Sequence, residues 1–312
     1  MDWSGTNPYA GVSTPQKGFP SILPLNEATD YVAAERDAGV FLGVDSAGER
    51  VGVDLDQEAP HILVSAATGG GKSAIARSIA VQRLRRGDMV VILDVKLHSH
   101  RWAKALAPNV HYASSIVDIG GALVSVGREL HRRNAVVDAL PADQPVESAD
   151  VGPRIIVVFE EMNATMVQLK ALAKRLASEG SYQAPDALSD VSFMGRAVRI
   201  HLVSFAQLAT YRASGGSEIV ENYGTRILVR YSPKAWSYLA SDCGKRLTAP
   251  EEHGRGVVCY GGKARETQLL WVPESEAGPA VTASIPAQKL ARKLTGSVRN
   301  LPPVWRQAIS GR

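Results

Sequence analysis

The stretch SAATGGGKSA (65–74) sets three consecutive glycines directly before a lysine and a serine. Glycine adopts left-handed backbone angles without steric cost and lets main-chain N–H groups close on a ligand, while the residues behind it offer an ammonium and a hydroxyl. That combination suits a polyphosphate carrying a divalent cation. Thr68, Gly69, Gly70, Gly71 and Ala74 would wrap the phosphates, Lys72 would reach the β and γ groups, and Ser73 would ligate Mg²⁺. The position six before the lysine holds Ala66 rather than the usual glycine, a place where a small side chain is expected to suffice. A glycine-rich turn with no ligand is the competing explanation.

The second constellation closes the apolar run RIIVVF (154–159) with Glu160 and Glu161. Hydrolysis at a nucleotide site needs such a pair: Glu160 would complete the Mg²⁺ shell, and Glu161 would orient or deprotonate the attacking water. Two exposed carboxylates opening a helix, favoured there by its dipole, form the alternative. The metal-side acid is usually Asp. Glu160 is one methylene longer, which bears on rate more than on the existence of a site.

These groups must be positioned by strands and helices, and the chain supplies both. HILVS (61–65), MVVILDV (89–95), RIIVVF (154–159), IHLVSF (200–205) and TRILVRY (225–231) are continuous apolar runs, as expected of strands buried on both faces of a parallel sheet. Helical spacing is expected over 74–86, 122–134 and 164–178, with 179–190 read as a loop from its Gly, Pro and Asp residues. The result is an α/β core.

Composition is that of a globular chain: 312 residues, 45% hydrophobic and 21% charged. No run reaches the roughly 18 apolar residues of a membrane span, and the N-terminus has no secretory pattern, so a cytoplasmic location is expected. Cys243 and Cys259 fit no metal spacing, and His98 and His100 have no carboxylate or cysteine at ligand spacing nearby. Charge is uneven: residues 1–60 hold ten acids and three bases, whereas 281–312 hold six bases and no acid. Residues 1–40 are expected to form a flexible arm, 41–275 the α/β core, and 276–312 a basic tail.

Beyond the single motifs, the segment from about Val51 to Val272 resembles the FtsK/SpoIIIE family of DNA translocases. APHILVSAATGGGKSAIARSIA is similar to that family's nucleotide loop, LDVK (93–96) to its second strand, and RELHRRN (128–134) to a helix rich in Glu and Arg. GRAVRIHLVSFAQ (195–207) resembles the segment holding the sensor strand, and ENYGTRILVRYSPK (221–234) the segment with a threonine-arginine pair. The departures are Glu160 and the Leu208-Ala209 that follows Gln207, where arginine and proline are usual.

The resemblance implies a RecA-like P-loop NTPase core with a mostly parallel sheet flanked by helices. It further implies ATP and Mg²⁺ as cofactors, duplex DNA as partner, a homo-hexameric ring, and Gln207 as sensor. A translocase that couples ATP hydrolysis to DNA movement is expected, with a membrane or loading partner supplied by another protein. A conjugative coupling or DNA-packaging ATPase and an ATP-gated regulatory protein are the rivals. Phosphoryl transfer gains from an arginine on the transferring group, often a neighbour's, and Arg226 is the first candidate for that finger with Arg196 second. Either could instead be a surface ion-pair partner. Lys170, Lys174 and Arg175, at helical spacing after the acids, are candidates for phosphate contact or simply a solvated face.

Overall fold

The computed structural model describes residues 18–57, 59–67, 69–106, 108–176, 182–206 and 221–283. Eleven strands among them form one sheet: β1 (Leu23–Pro24), β2 (Gly39–Val44), β3 (Arg50–Asp54), β4 (Ile62–Ala66), β5 (Met89–Leu93), β6 (Val110–Ala113), β7 (Ile155–Phe159), β8 (Ile200–Ala206), β9 (Thr225–Val229), β10 (Arg255–Tyr260) and β11 (Lys263–Trp271). The helices are α1 (Thr29–Ala33), α2 (Lys72–Arg85), α3 (Ile116–Asp138), α4 (Met162–Leu176), α5 (Ala184–Met194), α6 (Pro233–Leu239) and α7 (Glu274–Thr282). No helix among the described residues is long and apolar enough to cross a membrane.

The five apolar runs, with β6 added at the edge, make the parallel half of the sheet. Its order is β9-β4-β8-β7-β5-β6, every pair parallel. Each of β4, β5, β7 and β8 is buried along its whole length because helices cover both faces, which is why these runs lack polar alternation. On one face α2 packs through Ile75, Ile79 and Leu84, joined by Ala277 and Val281 of α7. On the other lie Leu123 and Leu130 of α3, Met166 and Leu169 of α4, and Leu188 of α5. Insertion of β8 between β4 and β7 opens a crevice at the strands' carboxyl ends, where ligands of open α/β sheets bind.

Three expectations change. The span 179–190 contains most of α5: Pro185 stands in the first turn, where its missing N–H costs nothing, and Gln183 and Asp186 exchange side-chain and backbone hydrogen bonds in a capping box. Residues read as loop formers are here helix starters. The expected N-terminal arm is folded from Gly18 on, with Leu23, Leu25, Ala28 and Val32 buried and β1 paired to β11. The expected tail begins inside α7, which lies on α2, while residues 284–312 lie outside the described ones. Strands β10, β11, β2 and β3 extend the sheet in antiparallel fashion beyond β9.

Two buried histidines tie β4 and β8 together at the end away from the crevice. His61 donates from Nε2 to the Ser192 carbonyl (3.1 Å) and accepts the Leu202 N–H at Nδ1 (3.0 Å). His201 sits between the Pro60 carbonyl and Arg154, each at 2.8 Å. Neither ring can take a second proton without losing a bond. Burial pushes His61 down to about 4 and His201 well below the ordinary range, with Arg154 adding to the effect on His201. The unfolded chain therefore binds protons that the folded chain refuses between about pH 6.5 and 4, and stability is complete above that window and falls as pH drops through it. His61 alone should cost roughly 2 kcal/mol by pH 5. A urea midpoint unchanged between pH 7.5 and pH 5 would contradict this.

Candidate nucleotide site

Strand β4 ends at Ala66, the chain crosses 67–71, and α2 begins at Lys72 with Gly71 as its left-handed N-cap (φ 82°). Gly69 is also left-handed (φ 75°), and a Cβ on either glycine would meet nothing within 4 Å, so the loop's mouth is open. Gly70 is different. A Cβ there would lie 2.9 Å from the Ala67 carbonyl oxygen and 3.1 Å from the Ala66 methyl, so Gly70 is the residue that makes room for alanine at 66. Lys72 folds its ammonium onto the Ala66 carbonyl (2.9 Å). Burial holds it below the ordinary lysine range, opposed by the charge of Glu161 and less by that of Glu160, while Lys96 adds to the lowering.

Strand pairing continues one residue past Phe159, because the Glu160 N–H donates to the Leu93 carbonyl at 3.0 Å. Glu161 then turns the chain in the left-handed region (φ 44°), and α4 starts at the next residue. Both acids are buried, Glu160 to 1% and Glu161 to 8% exposure, which removes the explanation of two solvated carboxylates. Glu160 Oε1 lies 2.8 Å from Nε2 of buried His100, and Glu161 Oε1 lies 2.5 Å from Lys96 Nζ. The loop carrying Lys96 and His100 is organised by Asp94, whose carboxylate accepts the Lys96 and Ser99 N–H groups and the Tyr112 hydroxyl (2.8 Å). Burial and the neighbouring Asp94 raise the Tyr112 phenol far above its ordinary value, so it remains a donor.

The crevice thus joins an open glycine loop, a lysine and two carboxylates, with Ser73 beside them in the first turn of α2. A polyphosphate with a hard divalent cation fits this donor set, which contains oxygen ligands for the metal and N–H groups for the phosphates. Sequence reasoning misses the part played by His100 and Asp94. Ligand spacing tests His100 only against its near neighbours, and no spacing signal links it to an acid 60 residues away.

The remaining candidates do not join the crevice within the chain. Arg226 pairs with Leu63 in the β4–β9 register, three residues below the Ala66–Val229 pair that borders the loop, roughly 10 Å down the strand. Its Nη2 meets Asp242 Oδ2 at 2.6 Å beside Cys243, in the layer opposite α2. Arg196 lies in the turn before β8, at the other end of the sheet, 3.4 Å from the Gln57 carbonyl. Thr68 and Gln207 lie outside the described residues. The Glu- and Arg-rich helix segment is structural: Glu129 is buried and accepts from Arg132 and Arg133, and Arg133 also binds the Pro153 and Val198 carbonyls.

No protein-family model matches the chain. It is 27% identical over 239 residues to the DNA translocase FtsK of Treponema pallidum, a match covering 71% of this chain and 28% of that protein. With FtsK of Helicobacter pylori it shares 25% over 217 residues, 64% of this chain and 23% of that one. The chain therefore spans less than a third of the length of these relatives. Among solved structures, the pCW3 conjugation coupling protein TcpA, a monomer with ATPγS, superposes with a TM-score of 0.68 at 19% identity, over 86% of this chain and 76% of that one. The type VII secretion ATPase EccC of Thermomonospora curvata superposes with a TM-score of 0.61 at 16% identity, over 89% and 33%. Likeness at that identity speaks for the fold alone, a mostly parallel sheet with flanking helices like that of TcpA and EccC, and over most of its length the sequence is similar to that of the FtsK DNA translocases.

Proposed function

We propose that the chain is an ATP-hydrolysing motor domain that moves along duplex DNA as a ring, six-membered as the family resemblance implies. The observation that carries the reading is the convergence, across β4, β8 and β7, of the glycine loop with two buried carboxylates. ATPγS held by a protein of the same fold supports the choice of nucleotide. In this reading Lys72 leaves the Ala66 carbonyl for the β and γ phosphates, and the loop N–H groups from Gly69 to Ser73 hold the phosphate oxygens. Ser73 and Glu160 would hold Mg²⁺, which supplies charge stabilisation to the transferring group. Glu161 accepts the proton of the attacking water, or orients that water, once Lys96 has released its carboxylate.

Movement requires that the acid pair be linked to whatever touches DNA. The chain runs from Glu161 directly into α4, whose Thr165 N–H donates to the Glu161 carbonyl at 3.1 Å. That helix carries no acid, and Lys170, Lys174 and Arg175 are exposed on it. They supply phosphate contacts that carry no sequence information.

ATP turnover should therefore rise with duplex DNA of any sequence and fall steeply with salt. Charge removal at Lys170, Lys174 and Arg175 should flatten the log–log salt slope of the DNA concentration that half-saturates turnover by about 0.9 for each phosphate that is no longer neutralised. A steady-state ATPase assay at graded salt tests this. Turnover indifferent to DNA at low salt would favour an ATP-gated regulatory protein, a reading to which the Lys96–Glu161 pair also lends itself as a resting state.

A further inference from the structure

The loop between β5 and β6 carries a group that takes no part in the hydrolytic steps above. His100 is buried to 1%, and its ring's only hydrogen-bond partner among the described residues is Glu160, through Nε2 at 2.8 Å. Its Nδ1 is buried with no partner, so the ring's hydrogen bond runs through Nε2, whose N–H faces the acceptor-only carboxylate. The ring is held from outside: Trp102 meets it edge-on with centroids 6.5 Å apart, and the 3₁₀ turn Arg101–Ala105 that follows it packs against α7.

A glutamate at the metal side of the crevice has one more rotatable bond than the usual aspartate, and a carboxylate free to swing would hold a cation loosely. We propose that His100 is the positioning residue that fixes Glu160, taking Oε1 so that Oε2 is presented to the metal shell. Hydrogen-bond partners of metal-binding carboxylates act in this way, and their loss typically lowers metal affinity or activity by about 10- to 100-fold. The turn's packing against α7, which also lies on α2, gives this anchor its rigidity.

The inference rests on the proposed Mg²⁺–ATP reading, and its test keeps the two apart. Three quantities are compared in the full chain carrying His100→Leu or His100→Gln: kcat at saturating ATP, half-saturation by Mn²⁺ in the presence of ATPγS followed by electron paramagnetic resonance, and binding of a fluorescent ATP analogue in EDTA. The leucine variant should lose roughly 10- to 100-fold in kcat and in Mn²⁺ affinity, with metal-free nucleotide binding unchanged. The glutamine variant, which keeps an N–H donor, should regain most of both. Wild-type kcat and Mn²⁺ affinity in His100→Leu overturn the proposal, as does a glutamine variant impaired as deeply as leucine, since bulk rather than the donor would then be what matters. If the wild type binds Mn²⁺ with ATPγS yet cleaves no ATP, the function proposed above fails, while the Mn²⁺ comparison still decides the role of His100. Should His100→Leu not fold, the nitrogen NMR resonance of His100 Nε2 in the wild type decides: it should move when Mg²⁺ and ATPγS are added, and an unmoved resonance overturns the proposal.

Discussion

Lys72→Ala should abolish nucleotide binding, whereas Glu161→Gln should bind ATP with nearly wild-type affinity and cleave it at least roughly a hundredfold more slowly. The two defects differ because the two side chains act at different stages. Lys72 is the buried cation nearest the loop, already desolvated and held on the Ala66 carbonyl, so its transfer to phosphate oxygens exchanges a weak partner for a strong one. Glu161 contributes only when water attacks, and removing a positioned base typically costs about 10²- to 10⁴-fold in the chemical step. Equilibrium binding of a fluorescent ATP analogue and single-turnover hydrolysis separate the effects. Unchanged turnover in Glu161→Gln would leave the acid as a turn residue whose left-handed backbone starts α4.

Arg226→Ala should lower turnover about a thousandfold, and the loss should be repaired in trans. Within its own chain Arg226 lies below the loop and in the layer opposite α2, so it does not serve the crevice it is encoded with. A head-to-tail ring would present it to the neighbour's nucleotide. Its present partner Asp242 is half-exposed, so Asp242→Asn should be nearly neutral and serves as the control for loss of the ion pair itself. Equal mixtures of Arg226→Ala and Glu161→Gln subunits should recover activity at roughly one interface in four, since each interface needs an intact acid from one subunit and an intact arginine from the next. Mixtures shown to share rings but as inactive as either parent would remove Arg226 from the site, and Arg196 would take its place in the same experiment.

How much of this was legible in the sequence follows from where the stabilising contacts lie. The parallel strands were legible because burial on both faces writes an uninterrupted apolar run, and β4, β5, β7, β8 and β9 fall within a residue or two of their runs. The antiparallel extension was not: Val44 of β2 pairs with Gln268 of β11 across most of the chain, and β3 alternates between buried and half-buried residues. Helix α5 was hidden because Pro185 and Asp186 serve equally in a turn and in a helix's first turn. At the crevice, the loop and the acid pair were legible as strings. The partners that orient them were not, because the Glu160–His100 and Glu161–Lys96 contacts depend on β5 lying beside β7, and sheet order is not written in local spacing.

The most direct test of a motor is whether hydrolysis does work on DNA. A duplex carrying a short third strand bound in its groove, presented to the purified protein with Mg²⁺ and ATP, reports passage along the duplex by release of that strand. The account predicts release with ATP, none with ATPγS, and none from Glu161→Gln, at a rate that rises and falls with ATP turnover. Steady ATP hydrolysis stimulated by the same duplex, with the third strand left in place, would contradict it.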